Sequence, residues 1–151
     1  MDKEILKQHI AALLPESVFG ENKQYTEILV PGEKWHSYSL VLKTHPDLRF
    51  DYLISITAVD WNDHFNLVCH LTSTILGHIL VLKTRIDDRQ NPAADTVSDI
   101  WKTAEFHECE IFDLFGITFR HHPDLHRLFL DDDYGFPLRK DFTDESRVIV
   151  K

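Results

Sequence analysis

Apolar residues at the start of the chain recur at helical spacing. Ile5, Leu6, Ile10, Leu13 and Leu14 share a face, Lys3, Glu4, Lys7 and Gln8 fill polar positions, and Pro15 ends a short amphipathic helix. Tyr25 to Val30 predicts a strand stopped by Pro31-Gly32, and Trp35 to Thr44 a second helix broken before Pro46. Leu48 to Leu53 reads as a further helical turn, leading into a strand from Ile54 to Asp60. Phe65 to Thr72 alternates: Phe65, Leu67, Cys69 and Leu71 face one way, Asn66, His70 and Thr72 the other, with only Val68 out of pattern. A turn near Gly77 and a strand from Ile79 to Ile86 complete a hairpin, and Asp87 to Pro92 is a charged turn. A longer helix is predicted from Asp95 or Thr96 to about Phe115, with Thr96-x-x-Asp99 as a capping box and Gly116 as the stop.

Strands and helices come in runs rather than in strict alternation. The expected fold class is therefore α+β: two layers, a mostly antiparallel sheet packed by helices, and an extended C-terminal arm. The arm begins at His121. From there apolar residues stand singly or in pairs between charges, Pro123, Gly135 and Pro137, with no lasting period. Fully extended, such a segment reaches up to ~100 Å, while the preceding residues make a body with a radius of gyration near ~14 Å. The expected organisation is an α+β domain over 1–120 and an arm over 121–151 that docks on other chains, with Leu128, Phe129, Tyr134 and Phe136 as anchors. Arg139 and Lys140 are expected in ion pairs.

At 151 residues the chain holds one domain's worth of sequence, and 43% apolar with 27% charged residues is ordinary globular composition. The formal charge of −9 argues against a nucleic-acid footprint. No apolar stretch reaches 18 residues, so no membrane span is expected. The N-terminus lacks the basic-then-apolar pattern of an export signal. Two cysteines, Cys69 and Cys109, then point to a reducing, cytoplasmic setting. An iron–sulfur cluster normally takes four thiolates, so the chain is expected to be colourless and redox-silent.

The long helix carries one oddity. At 100° per residue, Val97, Ile100, Trp101, Ala104, Ile111, Phe112 and Phe115 share a stripe with Glu108, while Glu110 and Asp113 fall toward the other side. A carboxylate on a core-facing stripe needs a partner. A catalytic acid is one reading; a structural clamp on Arg127 or Arg139 is preferred, because no nucleophile or second acid sits nearby in sequence. His107 and Glu110, spaced i, i+3, with His122 downstream, give the reading of a stand-alone metal-dependent enzyme, but His121 and His122 are neighbours that point apart. Both cysteines read as packing residues, and Asp131-Asp132-Asp133 as a solvated turn without calcium-loop spacing. There is no phosphate loop, dinucleotide fingerprint or nucleophile elbow.

Three blocks carry a family resemblance. They are Glu108-Cys-Glu110-Ile-Phe-Asp113-Leu-Phe-Gly116-Ile, then His122-Pro123-Asp124-Leu-His-Arg127, then Asp132-Asp-Tyr-Gly135-Phe-Pro137-Leu138-Arg139-Lys140-Asp141-Phe142. The chain resembles the C-type subunit of NADH-quinone oxidoreductase (respiratory complex I), densely from about Thr96 to Asp144 and more loosely over Tyr25 to Arg85. It departs from that family's pattern at Cys109 and His126, where the family has Arg, and at Tyr134, where it has Trp. The resemblance implies a peripheral subunit with no cofactor of its own. Its partners would be the quinone-site subunit (D type) and the iron–sulfur subunits (B and I type), with FMN/NADH, clusters and quinone held in those partners. It implies a place on the cytoplasmic side of a bacterial inner membrane and a proton-pumping complex, or the equivalent place in a membrane-bound [NiFe] hydrogenase or other quinone- or ferredoxin-linked complex. A chain stopping soon after these motifs is expected to be the separate subunit, not one fused to the quinone-site subunit. The family motif residues Glu108, Glu110, Asp113, Gly116, His122, Pro123, Asp124, Arg127, Gly135, Pro137, Leu138, Arg139, Lys140 and Asp141 are the expected partner interface.

Overall fold

The computed structural model describes residues 3–22, 24–128 and 135–139. The elements in chain order are α1 (Lys3–Leu13), β1 (Val18–Phe19), β2 (Thr26–Val30), a 3₁₀ turn (Gly32–Lys34), α2 (Trp35–Thr44), β3 (Tyr52–Asp60), β4 (Phe65–Ser73), β5 (His78–Ile86), β6 (Ala93–Asp95), α3 (Ala104–Phe115) and β7 (Thr118–Arg120). Five strands form one sheet in the order β1-β2-β5-β4-β3. Its pairs are antiparallel except β2 with β5, which run parallel, Thr26 opposite Leu80 through Val30 opposite Thr84. β6 and β7 make a separate parallel pair.

Period-2 patterning decides which face of the sheet is covered. Ile28, Val30, Leu53, Ile56, Ala58, Phe65, Leu67, Cys69, Leu71, Leu80, Leu82 and Ile86 are buried, and they join one core with Leu6, Ile10 and Leu14 of the N-terminal segment, Trp35, Tyr38 and Leu42 of α2, and Ala104, Ile111 and Phe115 of α3. Apart from buried Val81, the opposite face holds half-buried or exposed residues. The fold is the expected two-layer α+β arrangement. Truncating a fully buried aromatic such as Trp35, Phe50 or Phe65 to Ala would cost about 3–5 kcal/mol.

Three expectations need correction. The predicted helical turn at Leu48–Leu53 gives way to a loop, and β3 already begins at Tyr52. That loop is held by side chains: His78 Nε2 donates to the Leu48 carbonyl at 2.7 Å, and Trp101 Nε1 to that of Phe50 at 2.8 Å. The long helix starts at Ala104, not at Asp95 or Thr96, because Ala93–Asp95 is committed to pairing with β7. Third, Thr96 does not cap a helix. It forms a local turn in which Ser98 N–H donates to Thr96 Oγ1 at 3.1 Å.

The predicted stop at Gly116 holds. Its φ of 76° is left-handed, and its N–H donates to the Phe112 carbonyl. A Cβ on Gly116 would also lie 2.6 Å from ring carbons of Phe136. Gly77 has a similar φ of 72° with nothing near. Gly77→Ala should therefore lose about 1 kcal/mol from backbone strain alone, and Gly116→Ala measurably more in urea denaturation, with Phe136 displaced. Equal losses would mean that Phe136 does not pack on Gly116.

Candidate functional site

The family motif residues gather around α3. Its wheel has two buried sides. Ala104, Glu108, Ile111 and Phe115 face the sheet, while Cys109 and Asp113, spaced i, i+4, face the other way and are buried as well. Asp113 lies on the side opposite Glu108, as its spacing predicts, and is buried there. The arm covers that side, so α3 is buried twice over and carries two carboxylates, Glu108 and Asp113, at 0% exposure.

The expected arginine clamp on Glu108 is also corrected. Glu108 Oε1 accepts from the Thr96 hydroxyl at 2.5 Å and Oε2 from the Val97 N–H at 3.0 Å. The β6–β7 pair presents Thr96: its N–H donates to the Arg120 carbonyl, and Arg120 Nε bridges Asp95 at 2.8 Å. His122 Nε2 lies 3.7 Å from Glu108 Oε1, with both side chains closed to solvent. The histidine is held as the Nε2–H tautomer, since Nε2 donates to the Glu105 carbonyl at 3.0 Å and Nδ1 accepts from the Asp124 N–H at 3.0 Å. Burial pushes the Glu108 carboxyl up to about 7. The Thr96 and Val97 hydrogen bonds oppose that rise, and the charges of Asp99 and Glu105 add to it.

Arg127 instead serves Asp113. Its Nε donates to Asp113 Oδ1 at 2.7 Å, and its Nη2 to the Asp113 carbonyl at 2.7 Å and the Gly135 carbonyl at 2.5 Å. Arg139 Nε donates to the Phe115 carbonyl at the end of α3, a carbonyl the helix itself leaves without a partner. The two arginines lie 4.9 and 5.1 Å from the Phe136 ring centre, and Arg139 also lies 5.3 Å from that of Phe65. Arg89 stands 4.6 Å from the same Phe65 ring while pairing in a fork with buried Asp60, at 2.5 and 3.1 Å. Cations and aromatic faces thus alternate from Asp60 to Asp113.

Over 121–128 and 135–139, then, the arm lies on its own domain, and its described part is not set apart from the core. Leu125 packs against that core. Cys109 Sγ donates to the Asp124 carbonyl at 3.4 Å, and burial raises its thiol above the ordinary range. Pro123, Asp124 and Leu138 are exposed, and Glu110, Gly135 and Pro137 are half-buried. Phe129, Tyr134, Lys140 and Asp141 lie outside the described residues. His107, Glu110 and His122 do not come together; among the described residues no group of three His, Cys, Asp or Glu is arranged to hold a metal. A cavity of ≈ 430 Å³ is lined by His36, Asp95, Thr96, Asp99 and His121. Its acids are already engaged, Asp99 by His36 Nε2 at 2.8 Å and Asp95 by Arg120. The arrangement fastens segments together. Sequence reading missed the Asp60–Arg89 fork, although alternation after Ile56 and Ala58 places Asp60 on the inner face.

The sign of the Glu108 shift gives a pH prediction. From its ordinary value of 4.5 up to about 7, the unfolded chain gives up this proton while the folded chain keeps it. Stability from this group is full below that window, falls by about 3 kcal/mol across it and is level above. Glu108→Gln should remove the fall, leaving the variant the more stable above pH 7 in urea titrations. Parallel wild-type and variant profiles would mean that Glu108 is ionised throughout.

Comparison with known proteins matches the geometry to a family. The profile of the respiratory-chain NADH dehydrogenase 30 Kd subunit matches residues 28–148. The chain is 46% identical over 121 residues to the C/D-type subunit of NADH-quinone oxidoreductase from Phocaeicola vulgatus, covering 79% of this chain but 23% of that one. It is 36% identical over 126 residues to the C-type subunit of the same enzyme from Chlorobium phaeobacteroides, covering 81% and 75%. A chain in the structure of a membrane-bound sulfane sulfur reductase, an archaeal respiratory membrane complex, superposes with a TM-score of 0.81 at 29% identity, covering 95% and 86%. The chain spans about a quarter of the C/D-type relative and three quarters of the C-type one. With Glu108, Asp113, Gly116 and Arg127 of the motif built into ties around α3 and the profile matching residues 28–148, this chain belongs to the respiratory-chain NADH dehydrogenase 30 Kd subunit family.

Proposed function

We propose that the chain is a structural subunit of the peripheral arm of a proton-pumping NADH-quinone oxidoreductase, carries no cofactor of its own, and supports electron transfer to quinone by holding other subunits in place. One observation carries this reading: the family motif forms structural ties. Glu108 secures the Thr96–Val97 turn, Asp113 and the α3 terminus secure Arg127 and Arg139, and His122 secures the Pro123–Asp124 turn. Buried polar groups tied to neighbouring backbone and side chains in this way hold a surface in one shape.

In this reading the chain packs on the quinone-site subunit, with the iron–sulfur subunits as neighbours, and FMN, clusters and quinone are held by those partners. No helix among the described residues is long and apolar enough to cross a membrane; the reading puts the chain in a peripheral position on the cytoplasmic side. A second reading is supported by the sulfane sulfur reductase likeness: the same scaffold within a respiratory complex of different electron donor.

Affinity purification of the tagged chain from gently solubilised membranes tests both. The first reading expects D-, B- and I-type subunits with FMN and NADH:quinone activity, and loss of that activity when the chain is deleted. Partners of a hydrogenase or sulfur reductase favour the second reading. Purification without any partner, or stoichiometric iron, flavin or zinc on the chain alone, contradicts both.

A further inference from the structure

Glu108 lies between two segments that flank α3 in sequence. On one side is the Thr96–Val97 turn, on the other the His122–Asp124 start of the arm. The chain reaches the second through His121, whose left-handed φ of 68° turns it sharply out of β7. A route for a proton runs through the first. Thr96 Oγ1 lies 2.5 Å from Glu108 Oε1 and 2.8 Å from Ser98 Oγ, and Thr96 also lines the cavity of ≈ 430 Å³. The same contact serves both forms of the acid, because a hydroxyl donates to an ionised carboxylate and accepts from a neutral one.

Ionised Glu108 is poorly supplied with charge partners. Asp99 of the turn and Glu105 of α3 add negative charge around it. Cys69 of β4 and Cys109 of α3 feel its charge, and burial keeps both thiols protonated. Arg120 of β7 is held by Asp95. Among the described residues the further donor within reach is the His122 Nε2–H, 3.7 Å from Oε1, with both side chains closed to solvent. That N–H donates to the Glu105 carbonyl at 3.0 Å. A carbonyl inside a helix already has the backbone N–H four residues on as its partner, so Glu105 can lose His122 without being stranded. A hydrogen bond to a charged oxygen is roughly twice as strong as one between neutral groups.

We propose that Glu108 and His122 form a proton-sensitive switch between α3 and the arm: when Glu108 gives up its proton through Thr96 to the cavity, the His122 Nε2–H leaves the Glu105 carbonyl for Glu108 Oε1 and draws the 122–124 turn with it. One proton leaves and the carboxylate gains one negative charge. His122 stays neutral, because its Nδ1 accepts from the Asp124 N–H at 3.0 Å. Burial sets the change near pH 7, with the Glu105 bond held below it and the Glu108 bond above. The switch does not depend on which complex the chain serves.

NMR of the full chain with labelled histidine and glutamate, titrated from the acid to the alkaline side of pH 7, tests it. The Glu108 carboxyl carbon and the His122 Nε2-bound proton are expected to move together, the proton downfield, with one midpoint near 7, while the Nδ1 nitrogen keeps its neutral position. In Glu108→Gln the His122 proton is expected to hold its acid-side position throughout. A His122 proton that stays still while Glu108 titrates overturns the proposal. So does an Nδ1 that takes up a proton on the acid side, since His122 is then the titrating group, and so does a Glu108 carboxyl ionised throughout. Should the variant fail to fold, the two wild-type nuclei decide between these outcomes on their own.

Discussion

Two carboxylates on one helix, both shut away from water, set the terms for the C-terminal half of this protein. A buried carboxylate costs several kcal/mol unless partners replace its hydration. Glu108 obtains a hydroxyl and a backbone N–H from the turn before α3. Asp113 obtains a guanidinium from the arm after it. Each requirement draws a separate piece of chain onto α3, and together they enclose it. The two solutions differ in kind. Asp113 faces a full positive charge, whereas Glu108 meets only a hydroxyl and an N–H, and burial outweighs them, pushing its carboxyl up to about 7.

The arm is organised outward from the Asp113 pair. Arg127 spans from Asp113 to the Gly135 carbonyl, and so ties the beginning of the arm to a segment eight residues later. Phe136 then fills the space a Cβ on Gly116 would take, and Arg139 closes the end of α3. The glycine stop, the aromatic ring and the arginine depend on one another. The same stack continues through Phe65 and Arg89 to Asp60 at the end of β3. The described part of the arm is thereby fixed to the sheet at one corner of the fold.

Much of this was legible in the sequence where a period runs for several turns or strand residues. The N-terminal helix, α2, the β4–β5 hairpin and the burial of Glu108 follow from spacing alone. The β1, β6 and β7 strands of two or three residues carry no readable period, and the parallel pairing of β2 with β5 is a long-range choice. Val97, Ile100 and Trp101 have helical spacing and are buried, yet the β6–β7 pairing and the Trp101 bond to Phe50 hold them outside the helix. The wheel places Asp113 opposite Glu108, but its burial there was not legible, because the arm supplies a second covered face. The family motif was legible as a motif, but which acid pairs with which arginine was not, since that depends on where the arm folds back.

The central claim is that the Asp113–Arg127 pair fastens the arm to the domain. A double-mutant cycle with Asp113→Asn and Arg127→Gln, read by urea denaturation of the full chain, tests it most directly. The account predicts that each single variant loses about 3–5 kcal/mol by stranding the other partner, and that the double variant loses far less than their sum. Losses that simply add, or single variants as stable as wild type, would contradict it.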